Sequence, residues 1–510
     1  MTVQRAAGRI LCGVAAAAVA VGVAQLVAAP FGPAADALDA VGSAVVRLTP
    51  GPVAEWAIRR FGTADKLFLS VAVVADLAVV AAVAGLVEKR RVPAGSALLV
   101  LVGAVGGAAV LAQAGAQTVD VVPVVVGIGC GVVVLRVLTV KSVVRQTTTT
   151  AEPSQPSRRW WLAALGLLGL GLIAGVGGGA LSRRWHSVAA ERAAFIAPRV
   201  KSPPPPPPPQ VQPTGVALPS YLTPNQDFYR IDTALSVPQL ARADWRLKIH
   251  GMVDHELTYT FDDLQRVPAI EKTVTLTCVS NVVGGNLISN ATWTGYRVRD
   301  LLAPTGIHGD ADMVLSTAVD GFTIGTPLAA LTDGRDALLA VTMNGEPLPT
   351  EHGYPARLVV PGLYGYVSAT KWVIDLEVTR FDRAQAYWTQ RGWAARAPIK
   401  TESRIDVPRS FQKVPAGPVR FGGVAWSQSR GVRAVEVRID NEPWRPATLA
   451  ANYSNDTWRL WSFDWVAGPP GSHTISVRAT DNTGAVQTPV RAPTMPDGAT
   501  GWHTVDFTVT

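Results

Sequence analysis

Five apolar runs crowd the first 185 residues, each long enough to cross a bilayer as a helix: Ile10–Ala29, Leu67–Val87, Gly95–Gln113, Val119–Val140 and Trp160–Leu181. A backbone in lipid must satisfy its own hydrogen bonds, so this region can only be an α-helical transmembrane bundle. Between the first two spans, Ala34 to Phe61 alternates polar and apolar positions around Pro50 and Pro52. It reads as an extramembrane or interfacial segment, not a sixth span. The runs explain why 48% of the chain is hydrophobic and only 16% charged.

Basic residues orient the bundle. Lys89, Arg90 and Arg91 form the densest basic loop and place the end of the second span in the cytoplasm, with Arg5 and Arg9. Lys141, Arg145, Arg158 and Arg159 fall on the same side, and the uncharged turn Ala114–Thr118 on the other. Everything after the fifth span then lies outside the cytoplasm. Arg47, Arg59, Arg60, Lys66, Arg183 and Arg184 run against this arrangement. The expectation is a multi-pass protein of the cell membrane with an extracytoplasmic globular part. Ser157-Arg158-Arg159-Trp160-Trp161-Leu162 has two readings: cytoplasmic anchor residues beside interfacial tryptophans, or an internal twin-arginine export pattern. The net charge of +8 comes largely from Arg and Lys at span ends; no basic tract stands out beyond them, which excludes nucleic acid as the partner.

Pro203 to Pro209 is an unbroken run that can only form a polyproline II rod, expected to act as a stiff spacer. Beyond it, Pro219 to about Ala395 mixes short strands and helices in an α+β pattern. Trp245–Gly251 alternates as a strand, Thr260–Leu264 is a strand entering a helix with Thr260 or Asp262 as cap, and Tyr296–Leu302 is an amphipathic helical turn. Arg357–Val360 is an apolar strand stopped by Pro361-Gly362. From Gly417 the chain is all-β: Val432–Ile439 and His473–Thr480 alternate and end in Asp-Asn turns, as in an immunoglobulin-like sandwich. The expected domains are a transmembrane region (1–185), a Pro-rich linker (186–215), an α+β domain (216–395) and the sandwich (396–510).

Cys278 ends the alternating run Thr273–Thr277 and precedes a small polar turn with Gly284 and Gly285. The other cysteines, Cys12 and Cys130, lie in apolar runs, so Cys278 has no partner for an intradomain disulfide. By position alone it is either a small buried hydrophobe or a functional thiol. No Cys-x-x-Cys-His motif occurs and the spans hold no histidine pair, so no haem is expected within the chain.

Several motifs occur together in order: Asp227-Phe228-Tyr229-Arg230, Thr275-Leu276-Thr277-Cys278, Ala291-Thr292-Trp293-Thr294-Gly295, Met343 to Pro349, and His352-Gly353-Tyr354-Pro355 through Arg357 to Gly362. With Gly423-Val424-Ala425-Trp426 and Trp458-Arg459-Leu460-Trp461, they resemble the sulfite oxidase family, namely its oxidoreductase molybdopterin-binding domain and its C-terminal dimerisation domain. The resemblance covers about Thr214 to the C-terminus. It implies a molybdopterin cofactor, with Cys278 as the thiolate ligand of molybdenum, which suits a soft, redox-active metal. It implies that His352 and Arg357 hold the pterin and its phosphate, and that Lys371, with Ala369 and Thr370, binds the cofactor in the same segment. Phe228, Tyr229 and Arg230 would line the pterin and substrate cavity, and Asp320 would make a further cofactor contact.

Two departures from the family pattern bear on the substrate. Where sulfite oxidases carry an arginine pair after the cysteine, this chain has Val279, Ser280, Asn281, Val282 and Val283. Trp393 stands where an active-site tyrosine is expected. Both remove polarity suited to a dianion such as sulfite. The reading is therefore a membrane-anchored molybdenum oxidoreductase transferring an oxygen atom to or from a small-molecule substrate. Arg230 would be the substrate-facing charge and Trp393 a pocket wall. A cytochrome or quinone system would exchange electrons with it, and homodimerisation through the sandwich stays open. Its rivals are the same fold reducing sulfoxide- or oxide-type substrates, and an inactive membrane-tethered scaffold.

Overall fold

The computed structural model describes residues 3–50, 53, 56, 60, 65–113, 116–144 and 158–510. Pro52, Arg59, Phe61, Arg145, Ser157 and the start of the 114–118 turn lie outside them. The chain divides into two units, Met1–Val188 with Thr233–Gln239, and Ala189–Asp232 with Leu240–Thr510.

The first unit contains α1 (Val3–Ala28), α2 (Ala37–Leu48), α3 (Asp65–Val87), α4 (Ala94–Leu111), α5 (Val122–Val144) and α6 (Arg158–Trp185). All but α2 are long and apolar enough to cross a membrane. Helix α1 packs against α3, α5 and α6, and small residues allow the close approach. A methyl group on Gly13 would strike the Ala81 carbonyl, and one on Gly22 the Gly171 carbonyl. Glu88 is fully buried and accepts from the Ser96 amide (2.8 Å) and hydroxyl (3.0 Å) while pairing with Arg136 at 3.2 Å. The segment read as interfacial contains a regular helix, α2. Asp36 caps it by accepting from the Leu38 and Asp39 amides (2.9 and 3.2 Å), and the prolines fall beyond its end. Thr233–Gln239 joins this unit. Lys66 donates to the Ala234 carbonyl, Ser236 to Asp39, and Leu235 fills the notch left by Gly42.

The second unit opens with α7 (Ala189–Ala193) and the proline run. The run lies along the unit instead of standing free as a spacer. Pro204 and Pro207 are half-buried while the other prolines are exposed, the three-residue period of polyproline II. Tyr453 donates to the Pro205 carbonyl at 2.7 Å, the Ala451 amide to Gln210, and Val211 enters the core.

Strands β1 (Arg246–Gly251), β2 (Leu257–Thr260), β3 (Ala269–Thr277), β4 (Ile288–Arg297), β5 (Met313–Ala318), β6 (Thr323–Pro327), β7 (Leu338–Met343), β8 (Glu346–Pro347), β9 (Arg357–Val359) and β10 (Val373–Thr379) form two sheets. Their orders are β2-β1-β10-β5-β6, with only β1 and β10 parallel, and β3-β4-β7-β8, with β9 on β7. Thr260 and Asp263 cap each other reciprocally where β2 ends. Tyr296 belongs to β4, held there by pairing with Ala269 and Leu339, and the short helix α8 starts only at Val298 and ends at Leu302.

The C-terminal strands are β11 (Glu402–Val407), β12 (Gln412–Val414), β13 (Gly417–Trp426), β14 (Val432–Ile439), β15 (Arg445–Pro446), β16 (Thr448–Leu449), β17 (Arg459–Ala467), β18 (Gly471–Asp481) and β19 (His503–Val509). They make two sheets, β11-β13-β17-β16 and β12-β19-β18-β14-β15, whose side chains share one apolar core including Phe421, Trp461, Val477 and Phe507. A second core is continuous from Trp245 and Leu358 to Trp426, Trp458 and Leu460, so the α+β and all-β parts are not packed independently.

Candidate active site

Cys278 sits where β3 leaves its sheet. Its amide donates to the Leu287 carbonyl (2.9 Å) and its carbonyl accepts from the Asn281 amide (3.0 Å), which folds the following residues into a tight loop. Asn281 closes that loop by accepting from the Leu287 amide at 2.9 Å. The thiol is 9% exposed. Burial pushes its pKa up, opposed by neighbouring Ser280 and by the charge on Lys371.

The C-terminal sheets support this loop. Arg404 donates to the Gly285 carbonyl at 2.9 Å, and the His503 ring occupies the space that a side chain at Gly284 would need. Gln428 donates to the Thr275 carbonyl and the Trp458 amide to the Thr275 hydroxyl, at 3.0 and 2.8 Å.

An aromatic group and three basic side chains gather beside the thiol. Phe228 stacks on Tyr229 (5.4 Å) and meets Trp293 and His352 edge-on at 5.6 and 5.5 Å. Burial raises the Tyr229 pKa, with Cys278 and Arg357 close enough to act on it. Arg357 is 3% exposed, lies 5.1 Å from the Trp293 ring centroid, and donates to the carbonyls of His352 (3.1 Å) and Ala369 (3.4 Å). Gly353, at φ 112°, brings the two cations together: an added Cβ would lie 3.0 Å from the Arg357 Cβ and 3.2 Å from Lys371.

Burial sets the electrostatics. It pushes Arg357 down to about 10 and Lys371 to about 8, so both keep their charge at neutral pH. His352 is pushed down to about 3 by burial and by the charges of Arg357 and Lys371, and its ring is neutral. Lys371 donates to the Glu351 carbonyl (2.9 Å) and pairs with Asp232 (3.2 Å), which also takes Arg230 at 2.8 Å. Buried cations are costly without anions. Lys371 has Asp232, whereas Arg357 meets only carbonyls; that cation beside a neutral imidazole and a buried thiol fits a ligand that brings both a metal and a phosphate, as molybdopterin does.

Most residues expected from sequence therefore converge. Phe228, Tyr229, Cys278, His352, Arg357 and Lys371 form the cluster, with Arg230 at its edge through Asp232. Thr370 turns its hydroxyl to Ser316 (2.6 Å) and contributes its carbonyl, which accepts from Leu358. Asp320 accepts from the Phe322 amide (3.1 Å) and caps the β5–β6 turn, whose Val319 amide donates to the Trp372 carbonyl. Trp393 packs on Tyr366, and the adjoining Gly365 lies against the Tyr229 hydroxyl and Thr277 carbonyl. Sequence reasoning missed Asp232 as the countercharge. The available signal was an acid two residues after Arg230.

Comparison with known proteins bears on the family. Residues 234–388 match the model of the oxidoreductase molybdopterin binding domain. Human mitochondrial sulfite oxidase is 31% identical over 323 residues, covering 54% of this chain and 58% of that protein. The chain thus spans a little over half of that relative's length. The uncharacterized oxidoreductase YuiH of Bacillus subtilis is 34% identical over 152 residues, 30% of this chain and 73% of YuiH. The crystal structure of the sulfane dehydrogenase SoxCD from Paracoccus pantotrophus covers 53% of this chain and 75% of its own, at 26% identity and a TM-score of 0.47. With YuiH matched over most of its length and the molybdopterin binding domain matched over residues 234–388, the chain belongs to the sulfite oxidase family of molybdopterin-binding oxidoreductases.

Proposed function

We propose that this protein is a membrane-anchored molybdenum oxidoreductase that moves an oxygen atom to or from a small substrate outside the cytoplasm. The observation that carries this reading is the convergence of the buried Cys278 with buried His352, Arg357 and Lys371. When bound, the cofactor supplies a metal that exchanges two electrons and an oxygen atom with substrate. Cys278 is the protein's ligand to that metal. Arg357 and Lys371 hold the pterin and its phosphate, and Arg fits this task because its planar fork donates two bonds to one anion. The neutral His352 ring adds a hydrogen bond without adding charge. Phe228, Tyr229 and Trp293 exclude water. Arg230, 41% exposed, is the charge that faces arriving substrate.

An inactive scaffold has no use for Arg357, a cation 3% exposed that donates only to carbonyls and whose burial is unfavourable without an anion. Five apolar helices and the basic loop Lys89–Arg91 support the membrane anchor and its orientation. A cytochrome or quinone system is the electron partner, and the immunoglobulin-like C-terminal sheets offer a homodimer surface. Elemental and pterin analysis of the purified full-length protein tests the reading. Near-stoichiometric molybdenum is expected, with altered metal electron paramagnetic resonance in Cys278→Ser. A metal-free protein from a host that loads related enzymes would overturn it. Protease protection in sealed vesicles checks the orientation: the segment around Lys201 is cleaved only from the extracytoplasmic face.

A further inference from the structure

The sheet β12-β19-β18-β14-β15 turns Val437 and Val477 into the sandwich core, so the alternate positions Glu436, Arg438 and Arg478 lie on its outer face. Two half-buried tryptophans meet edge to face beside them. Trp444 precedes β15 and Trp502 precedes β19, with ring centroids 4.9 Å apart. Arg438 lies 4.9 and 5.5 Å from those two centroids, and Arg478 4.4 and 6.0 Å. Arg491 donates to the Trp502 carbonyl at 3.1 Å. Residues scattered over more than fifty positions thus build one patch of indoles and guanidinium groups.

The charges of this patch do not balance. Arg478 has Glu436 at 2.8 Å. Arg438 makes no ion pair among the described residues, and its Nε is buried without a hydrogen-bond partner. Arg491 is exposed and likewise has no acid. A guanidinium held against indole rings keeps its planar fork ready for a carboxylate. Tryptophan with arginine is also the composition of side chains that carry binding energy between proteins.

The patch is connected to the site. Trp502 is followed by His503, whose Nδ1 accepts from the Ile405 amide at 3.0 Å. The His503 ring fills the space beside Gly284, in the loop that follows Cys278. A continuous packed run therefore links the thiol loop to the two indoles.

We infer that this face docks the protein that exchanges electrons with the site, a one-electron carrier whose surface is rich in carboxylates. Arg438 meets a carboxylate of that carrier, and the indole pair is covered by it. This rests on the molybdenum reading above and names its partner's chemistry. Two electrons per oxygen atom are matched by two carriers, each changing by one.

Cytochrome c and its succinylated form are suitable probes, because succinylation turns the lysines of one haem protein from positive to negative. Both are titrated calorimetrically into full-length holoenzyme in detergent at low salt. The succinylated form is expected to bind at least about tenfold more tightly, and to weaken as salt is raised. Arg438→Gln should weaken it about 5–10-fold. Lys413→Gln removes one charge from β12, at the opposite edge of the same sheet, and should change binding by less than about twofold. Glu436→Gln should tighten binding, a gain that a misfolded variant would not produce. Equal binding of the two forms, or equal losses in Arg438→Gln and Lys413→Gln, would overturn the inference. So would self-association of the chain that Arg438→Gln abolishes, which would give this face to a second copy. Molybdenum content of the same samples separates the two readings: loaded protein that fails to dock sinks this inference alone, and metal-free protein that still docks sinks the molybdenum reading alone.

Discussion

Asp232 shows how one carboxylate sets the state of the site. It is 5% exposed and pairs with both Lys371, 9% exposed, and Arg230. In Asp232→Asn the lysine loses its countercharge. The cofactor-free protein should then lose about 3 kcal/mol, the usual cost of leaving one member of a buried pair alone. The loaded protein should lose less, because the cofactor's phosphate replaces the missing charge. Urea unfolding of the two forms, followed by tryptophan fluorescence, checks this, and equal losses would show that no anion reaches Lys371. The residue types Cys278, His352, Arg357 and Lys371 were legible in sequence because they fall in ordered motifs. Asp232 was not, since an aspartate is common in exposed turns and only the fold turns its side chain inward.

Strand β11 carries a buried acid that the site does not use. Glu402 is 4% exposed, with one carboxyl oxygen lacking a hydrogen bond, and burial pushes its pKa from 4.5 up to about 8. As pH rises, the unfolded chain loses this proton before the folded one. Its contribution to stability is therefore complete below about 4.5 and declines as pH climbs to about 8. The loss between pH 5 and pH 8 is on the order of 3 kcal/mol. Glu402→Gln should flatten that part of the profile in urea unfolding at several pH values. The polyproline segment is the other element whose role depends on packing. Its conformation follows from seven prolines, but its docking depends on Tyr453, distant in sequence. Tyr453→Ala should free the run and speed tryptic cleavage after Arg199 or Lys201 several-fold, and unchanged cleavage would show that the remaining contacts hold it.

At the scale of the whole molecule, the α+β part cannot be isolated from the all-β part. Trp426, Trp458 and Leu460 belong to the same core as Trp245 and Leu358, and Arg404, Gln428 and Trp458 hold the strand and loop around Cys278. A chain truncated after Ala397 would expose that core and leave the loop unsupported. It is expected to lose near-ultraviolet circular dichroism and to retain no molybdenum, whereas the full chain keeps both. Native dichroism with bound metal in the truncated chain would show that the shared core is dispensable.

Hydrophobic patterning alone determined five long apolar helices, because a run of some twenty apolar residues has few other solutions. Ordered motifs determined the family and its cofactor, since the cysteine, histidine, arginine and lysine types follow from the chemistry of a metal and a phosphate. Tertiary structure decided what depends on residues distant in sequence: that α2 is a capped helix contacted by Thr233–Gln239, that the proline run is docked, that Asp232 neutralises Lys371, and that Trp393 keeps an unpartnered N–H. Periodicity and spacing report on neighbours along the chain. Burial and pairing are set by which distant segments meet, and those meetings leave no local pattern to read.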